Sequence, residues 1–166
     1  MAVKMFNRGG QSAGKTSNRC IGYYLSGFAD GEGSFNISII SRKQDYKNKW
    51  KITPSFNVSQ RDDTVPILFM NFLECGKIRY RKDGVCYFEV RGISDLAEKV
   101  IPFFRKYPLL SKDKRFVFKK FSKIILLMKE GKHLQKKGIE KILDIRETIK
   151  VKRKRKYSKE EVMKTY

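Results

Sequence analysis

Two stripes overlap in the stretch from Ile21 to Phe35. Ile21, Leu25 and Phe28 recur at helical spacing, and Tyr23, Gly27 and Gly31 recur four residues apart on a second face of the same helix. A glycine inside a helix costs about 1 kcal/mol relative to alanine. Two on one face therefore imply a second backbone packed close against it. The helix runs out at Asp30-Gly31-Glu32-Gly33, which puts carboxylates where the macrodipole is already negative. Such an end is stabilised by a cation, so it reads as a metal site built where two helices touch. The plainer alternative is a helix end with two solvated acids ahead of a hairpin.

Alternation follows. Phe35, Ile37 and Ile39 face one way, and Asn36, Ser38, Ile40, Arg42 and Gln44 the other. Asp45 to Asn48 forms a polar turn. In Trp50 to Gln60, Ile52, Pro54, Phe56 and Val58 oppose Lys51, Thr53, Ser55, Asn57 and Ser59. Pro54 suggests an edge or an irregularity. Thr64 to Glu74 returns to helical spacing, led by Asp62 and Asp63 and stopped by Gly76. Lys77 to Arg81 and Val85 to Arg91 pair through Lys82-Asp83-Gly84, a strong hairpin signal. Ser94 is the expected N-cap of a helix from Asp95 to Tyr107, ended by Pro108. Lys112 to Met128 and Ile139 to Ile149 read as two further helices, separated at Gly131. The order α-β-β-α-β-β-α with appended helices predicts an α+β fold, with a four-stranded antiparallel sheet and helices on one face.

The ends differ from this body. Residues 1–19 read as a flexible basic arm, residues 20–150 as the folded domain and residues 151–166 as a basic tail; from Lys150 to Lys156 six of seven residues are basic, which suits phosphate contact or disorder. Gly9 to Thr16 match the phosphate-binding P-loop pattern. No buried strand precedes them, so the match is taken as chance.

A formal net charge of +21 over 166 residues points to a polyanion, nucleic acid first. No apolar run is long enough to span a bilayer and the N-terminus has no signal-peptide core, so a membrane is not an expected partner. Three cysteines without CxxC spacing argue for a reduced, intracellular protein. The single histidine, His133, lies in a Lys-rich stretch, which leaves chemistry to carboxylates, lysines and metal. The strand positions not needed for a core carry base-reading groups: Ser38, Arg42, Gln44, Lys51, Thr53, Ser55 and Asn57 on one hairpin, Lys77, Arg79, Arg81, Tyr87, Glu89 and Arg91 on the other. Arg and Lys can address guanine, Asn and Gln adenine, and Glu a cytosine amino group, from a ribbon laid in the major groove.

Leu25-Ser26-Gly27-Phe28-Ala29-Asp30-Gly31-Glu32-Gly33, with its Gly-Ser-Phe lead into a strand, resembles the motif of the LAGLIDADG homing endonucleases. The likeness extends over roughly Ile21 to Ile149, but only the motif is sharp. The motif occurs once, and single-motif members of that family are homodimers; the resemblance therefore implies a dimer through Tyr23, Gly27 and Gly31. It also implies that the sheet lies along the major groove of double-stranded DNA. Glu32 falls on the position of the family's metal ligand, usually Asp, with the Gly31 carbonyl as a second ligand for Mg²⁺. Asp30 reads as helix-end support, though the sequence leaves it open as the ligand. Gln60 looks like the family's water-positioning residue, with Arg61 beside it. Lys112 is the choice for the lysine that stabilises charge at the cut, with Lys106 and Lys114 as rivals. The implied activity is site-specific, Mg²⁺-dependent DNA cleavage at a long, pseudo-palindromic target. The alternatives are an RNA maturase acting on its host intron and a DNA-binding regulator that does not cut. An organelle or a prokaryotic cytoplasm fits either nuclease or maturase.

Overall fold

The computed structural model describes residues 17–42, 49–149 and 155–165. The P-loop-like run, Gln44, the turn at 45–48 and most of the basic run at 150–154 lie outside them.

Helix α1 spans Asn18–Glu32 and is capped by Ser17, whose hydroxyl accepts from the Cys20 amide. Arg19, placed in the arm by the sequence, is helical. At its far end α1 enters strand β1, Ser34–Ser41, through Gly33 alone. A Cβ at Gly33 would sit 2.5 Å from the Ala29 carbonyl oxygen, so the direct passage from helix to strand requires glycine. Strand β2, Trp50–Gln60, pairs with β1; helix α2, Thr64–Leu73, follows. Its first free amide, at Thr64, is satisfied by the Asp62 carboxylate. Strands β3, Lys77–Tyr80, and β4, Cys86–Val90, form the expected hairpin, with Gly84 at φ +79°. The sheet order is β1-β2-β4-β3, antiparallel throughout.

The next helical run, α3, has three consecutive parts: a turn Ile93–Asp95, a π segment Leu96–Val100 and an α-helix Ile101–Lys106. It starts earlier than the sequence predicts. Gly92, in extended backbone, is the N-cap and accepts from the Leu96 amide, so Ser94 lies inside the first turn. Helix α4 spans Lys112–Lys129 and α5 spans Lys136–Glu147. Helix α5 gains a turn before Ile139 because Gly138 packs against the Lys132 carbonyl, where no side chain would fit. A short helix α6, Lys159–Met163, ends the described chain.

The helices cover the sheet face that carries Phe35, Phe56 and Phe88. Phe35 lies 5.1 Å from Phe56 and 5.3 Å from each of Phe104, Phe118 and Phe121, so one ring joins α1's strand to α3 and α4. Phe69 of α2 stacks on Phe88 at 5.8 Å. A smaller apolar cluster holds the far end of the β1–β2 ribbon, where Ile39, Ile139, Leu143 and Val162 are buried with Trp50 and Tyr157 against them. The described end of the tail is thus folded: Val162 is buried and the Trp50 indole donates to Thr165 at 2.8 Å.

Pro54 has its irregularity, though β2 is a central strand. Strand β4 reaches only as far as Phe56, opposite Val90. The carbonyl of Ile37, opposite Pro54, accepts a bond from Arg146 outside the sheet, so this pair is not a hydrogen-bonded one. The proline nitrogen therefore faces the side where β4 has ended, and no ladder bond is lost.

One polar contact fixes α4 relative to α1. The Asp30 carboxylate accepts from the amides of Leu110 (3.0 Å) and Ser111 (2.8 Å) and from the Ser111 hydroxyl (2.6 Å). It caps α4 from outside the helix, because Ser111, the N-cap, makes no side-chain cap of its own. Burial alone would raise the Asp30 carboxyl. The Ser111 hydroxyl, the two amides and Lys114 outweigh it and hold the group below its ordinary value.

Two outcomes follow from this packing. Gly22 lies against the Tyr107 ring, 2.3 Å from where a Cβ would stand; Gly22→Ala is expected to lower stability by about 1–3 kcal/mol in urea unfolding, and an unchanged midpoint would contradict the packing. Because Asp30 is depressed in the folded state, its stabilisation is present above the unfolded value near pH ~3.9 and is lost as pH falls through the lower folded value. Asp30→Asn is expected to cost about 1 kcal/mol at neutral pH and to flatten the stability profile below pH ~4; equal acid slopes in the two proteins would exclude the cap.

Candidate active site and nucleic-acid interface

Because α1 passes straight into β1, its acidic tip lies at one end of the sheet. Glu32 is the last helical residue; it is exposed and makes no hydrogen bond or ion pair among the described residues. Gly31 beside it is also exposed. Asp30 is committed to the cap. The Gly33 carbonyl accepts from the Lys114 ammonium at 2.6 Å. Burial pushes that ammonium down, partly countered by Asp30 and Glu32. Lys114, the third residue of α4, is therefore the lysine fixed at the tip. Lys112 is exposed on the first turn, next to the Asp30-bound Ser111. Lys106 is remote: its ammonium lies 5.4 Å from the Tyr107 ring centre and it shares a surface groove with Asn18, at the opposite end of α1. At ~1.5 Å per residue, that is about 20 Å from Glu32.

Strand register places Gln60 at the same end of the sheet as the tip. Ser34 pairs with Asn57, so the last three residues of β2 run past the start of β1 toward Glu32. Gln60 is exposed there, opposite the buried Cys86, and Arg61 follows it in an exposed turn. Among the described residues, no group of three or more His, Cys, Asp or Glu could hold a metal. The tip offers one uncommitted carboxylate and backbone carbonyls. These are hard oxygen donors of the kind Mg²⁺ takes alongside water and phosphate, but few for a site of their own.

The opposite sheet face gathers the predicted base-reading residues. Ser38 lies across from Thr53, and Ile40 across from Lys51. Asn57, Glu89 and Lys77 form one row across three strands, and Ser59, Tyr87 and Arg79 a second. Arg42, Arg81 and Arg91 continue the alternation just past the strand ends. Asn36, opposite Ser55, and Ser59 share this face and belong with the set; alternation alone would have identified them. Ser55 is buried and Thr53 half-buried, so these two offer least to a ligand. Glu89 is held between Arg91 (2.9 Å) and Arg79 (3.7 Å), and Arg81 bonds both Asp83 (2.8 Å) and the Tyr87 hydroxyl (3.0 Å). The arginines are thus pre-set in position and still more than half exposed.

The glycine face of α1 is bare. A Cβ added at Gly27 or Gly31 would meet nothing within 4 Å, and Tyr23 is 48% exposed. The close-packed backbone that the glycines predict is therefore not supplied by the described residues of this chain. Tyr23, Ser26, Gly27, Asp30, Pro108 and Leu110 line a groove there, and Leu110 stands 80% exposed at its side. Sequence spacing gave no sign of Leu110, which precedes α4 in an irregular segment.

Solved structures share this fold. The chain is 34% identical to the homing endonuclease I-TnaI, covering 87% of this chain and 94% of that one at a TM-score of 0.72. It is 26% identical to the archaeal intron-encoded homing endonuclease I-Vdi141I, solved with DNA, over 87% and 92% of the two chains at 0.76. Among curated proteins it is 30% identical over 132 residues to the probable intron-encoded endonuclease 2 of Neurospora crassa, 77% of this chain and 27% of that protein. The chain spans well under half the length of the first curated relatives it matches, 27% and 38% of two of them. A family profile described as LAGLIDADG endonuclease matches residues 25–125. With the motif helix, the four-stranded sheet and the acidic tip in these positions, the chain belongs to the LAGLIDADG endonuclease family.

Proposed function

We propose that the chain is one subunit of a homodimeric, Mg²⁺-dependent, site-specific DNA endonuclease, encoded within a mobile intron of an organelle or prokaryotic genome. The observation that carries this reading is the division of labour between the two acids of the tip: Asp30 is consumed by the α4 cap, while Glu32 is left uncommitted and exposed. Likeness to I-TnaI over nearly its whole length, and to a homologue solved with DNA, supports the same activity.

Two copies joined through the bare glycine face would bring two Glu32 carboxylates together, and two-fold symmetry would make the target roughly palindromic. Glu32 and the Gly31 carbonyl of each copy would hold the metal, which supplies charge neutralisation and an activated water. The Gln60 amide, able to donate and accept, orients that water. Lys112, exposed and without a bonded partner among the described residues, would lie against the scissile phosphate and offset the charge that develops there. Lys114 braces the tip by holding Gly33. The polar sheet face reads the major groove, with Arg79, Arg81, Arg91, Lys51 and Lys77 toward guanines or phosphates and Asn57 toward adenine.

The direct test offers the purified protein a duplex that spans the insertion point of its own reading frame, with Mg²⁺ and then with Ca²⁺ or EDTA. Double-strand breaks with Mg²⁺ alone are expected; binding without breaks in Mg²⁺ would overturn the enzymatic reading. Glu32→Gln should keep duplex affinity and lose about a thousandfold or more in cleavage, whereas Lys112→Met should lose on the order of a hundredfold. A Cβ at position 27 meets nothing within 4 Å among the described residues, so Gly27→Leu should fold yet sediment as a monomer and fail to cut. A dimer in that variant would exclude the α1 interface.

A further inference from the structure

Helix α5 and the last described segment form a cleft along the outer edge of β1. It is lined on one side by Asn36, Ile37 and Ile39 and on the other by Arg146, Arg155 and Lys156. None of these cations has a part in the tip or in the base-reading rows. Arg146 is 6% exposed, a depth at which a guanidinium is normally fully paired. Its Nε donates to the Ile37 carbonyl at 3.2 Å and its Nη1 to Glu147 at 3.0 Å; Nη2 has no partner among the described residues. Arg155 shares the same Glu147, also at 3.0 Å, and ties itself to the carbonyls of Arg146 and Ile149. Two guanidiniums thus divide one carboxylate, and the Lys156 ammonium adds a third positive charge 5.3 Å from the Tyr157 ring centre. Burial first, and Arg155 second, make the charge on Arg146 less comfortable than in water, with Glu147 offsetting only part.

The strand edge supplies donors as well. The Ile37 carbonyl faces out of the sheet, and in an antiparallel strand the amide of the same residue faces the same way. The Ile37 N–H therefore points from the unpaired edge of β1 toward the cleft. Among the described residues the donors left over are Arg146 Nη2, the Lys156 ammonium and the outward Ile37 amide, set beside two arginines that share one carboxylate, an arrangement suited to a tetrahedral oxyanion.

We propose that this cleft is a phosphate-binding site. Asn36 belongs to both the cleft and the polar sheet face, so a phosphate of the nucleic-acid backbone can enter while the sheet lies in the groove. That source rests on the DNA-binding reading above; free inorganic phosphate has the same chemistry.

The test follows amide and arginine Hε resonances of the full chain during titration with inorganic phosphate and, separately, with duplex DNA. Shifts at Ile37, Arg146 and Arg155 with both ligands support the site with a backbone phosphate as its occupant. Shifts with inorganic phosphate alone support a free-anion site. No shift at these residues with either overturns the proposal. Movement at Arg79 and Arg91 reports independently whether duplex reaches the sheet, so failure of the cleft and failure of DNA binding are told apart. In the duplex arm, Arg146→Gln should reduce the slope of log affinity against log salt by about 0.9 per subunit. Lys156→Gln, at an exposed position, should weaken phosphate binding in the same direction; wild-type affinity and slope in both folded variants would overturn the proposal.

Discussion

The Asp30 carboxylate makes the rest of the site possible. It sits in the last turn of α1, where the helix dipole disfavours a negative charge, and offsets that cost by accepting three bonds at the start of α4, where the dipole favours it. The partner residues are some eighty positions away in sequence, so one side chain joins the two ends of the domain. Lys114 is carried into place by the same bond, since the cap fixes the first turns of α4 and Lys114 then reaches the Gly33 carbonyl. Glu32 follows from exclusion. With one acid occupied and one carbonyl covered, it is the group at the tip still free to bind something else.

Glycine is used in two opposite ways along α1. Gly22 and Gly33 are small because the protein's own atoms crowd them, a tyrosine ring in one case and a helix carbonyl in the other. Gly27 and Gly31 are small although no atom of the described residues lies within 4 Å of where a Cβ would stand. A glycine that costs helix stability without a neighbour among the described residues calls for another explanation, and the proposed second copy, seated in the groove beside exposed Leu110, would supply one.

Charge on the sheet face is organised rather than merely abundant. Glu89 separates Arg79 from Arg91, and Tyr87 holds Arg81 over its ring at 5.8 Å. Exposed pairs of this kind add little to stability. They restrict where the guanidiniums can go, which lowers the entropy lost when those groups meet a ligand. The aromatic core below is stiff enough to hold that geometry, with Phe35 touching both strands and helices.

Periodicity in the sequence was enough for most elements, because alternation and helical spacing are local consequences of which residues shun water. The two hairpins, the four-stranded antiparallel sheet, the polar face and the acidic end of α1 are all visible there, and Gly84 and Gly131 sit at the positive φ their turns require. What stayed hidden depends on distant partners. The β2–β4 pairing that completes the sheet leaves no local signature, and neither does the cap of α4 by Asp30, because Ser111 looks like a sufficient cap by itself. Lys112 and Lys114 are equivalent in composition and differ only in which one the packing of α4 delivers to Gly33. The basic run near the C-terminus read as phosphate-contacting or disordered, yet Arg155 is drawn inward by a carboxylate and two carbonyls. Sequence thus determined which faces are polar and where chemistry could sit; tertiary structure decided which of several like-charged groups meet, since burial and long-range hydrogen bonding are set by the whole chain.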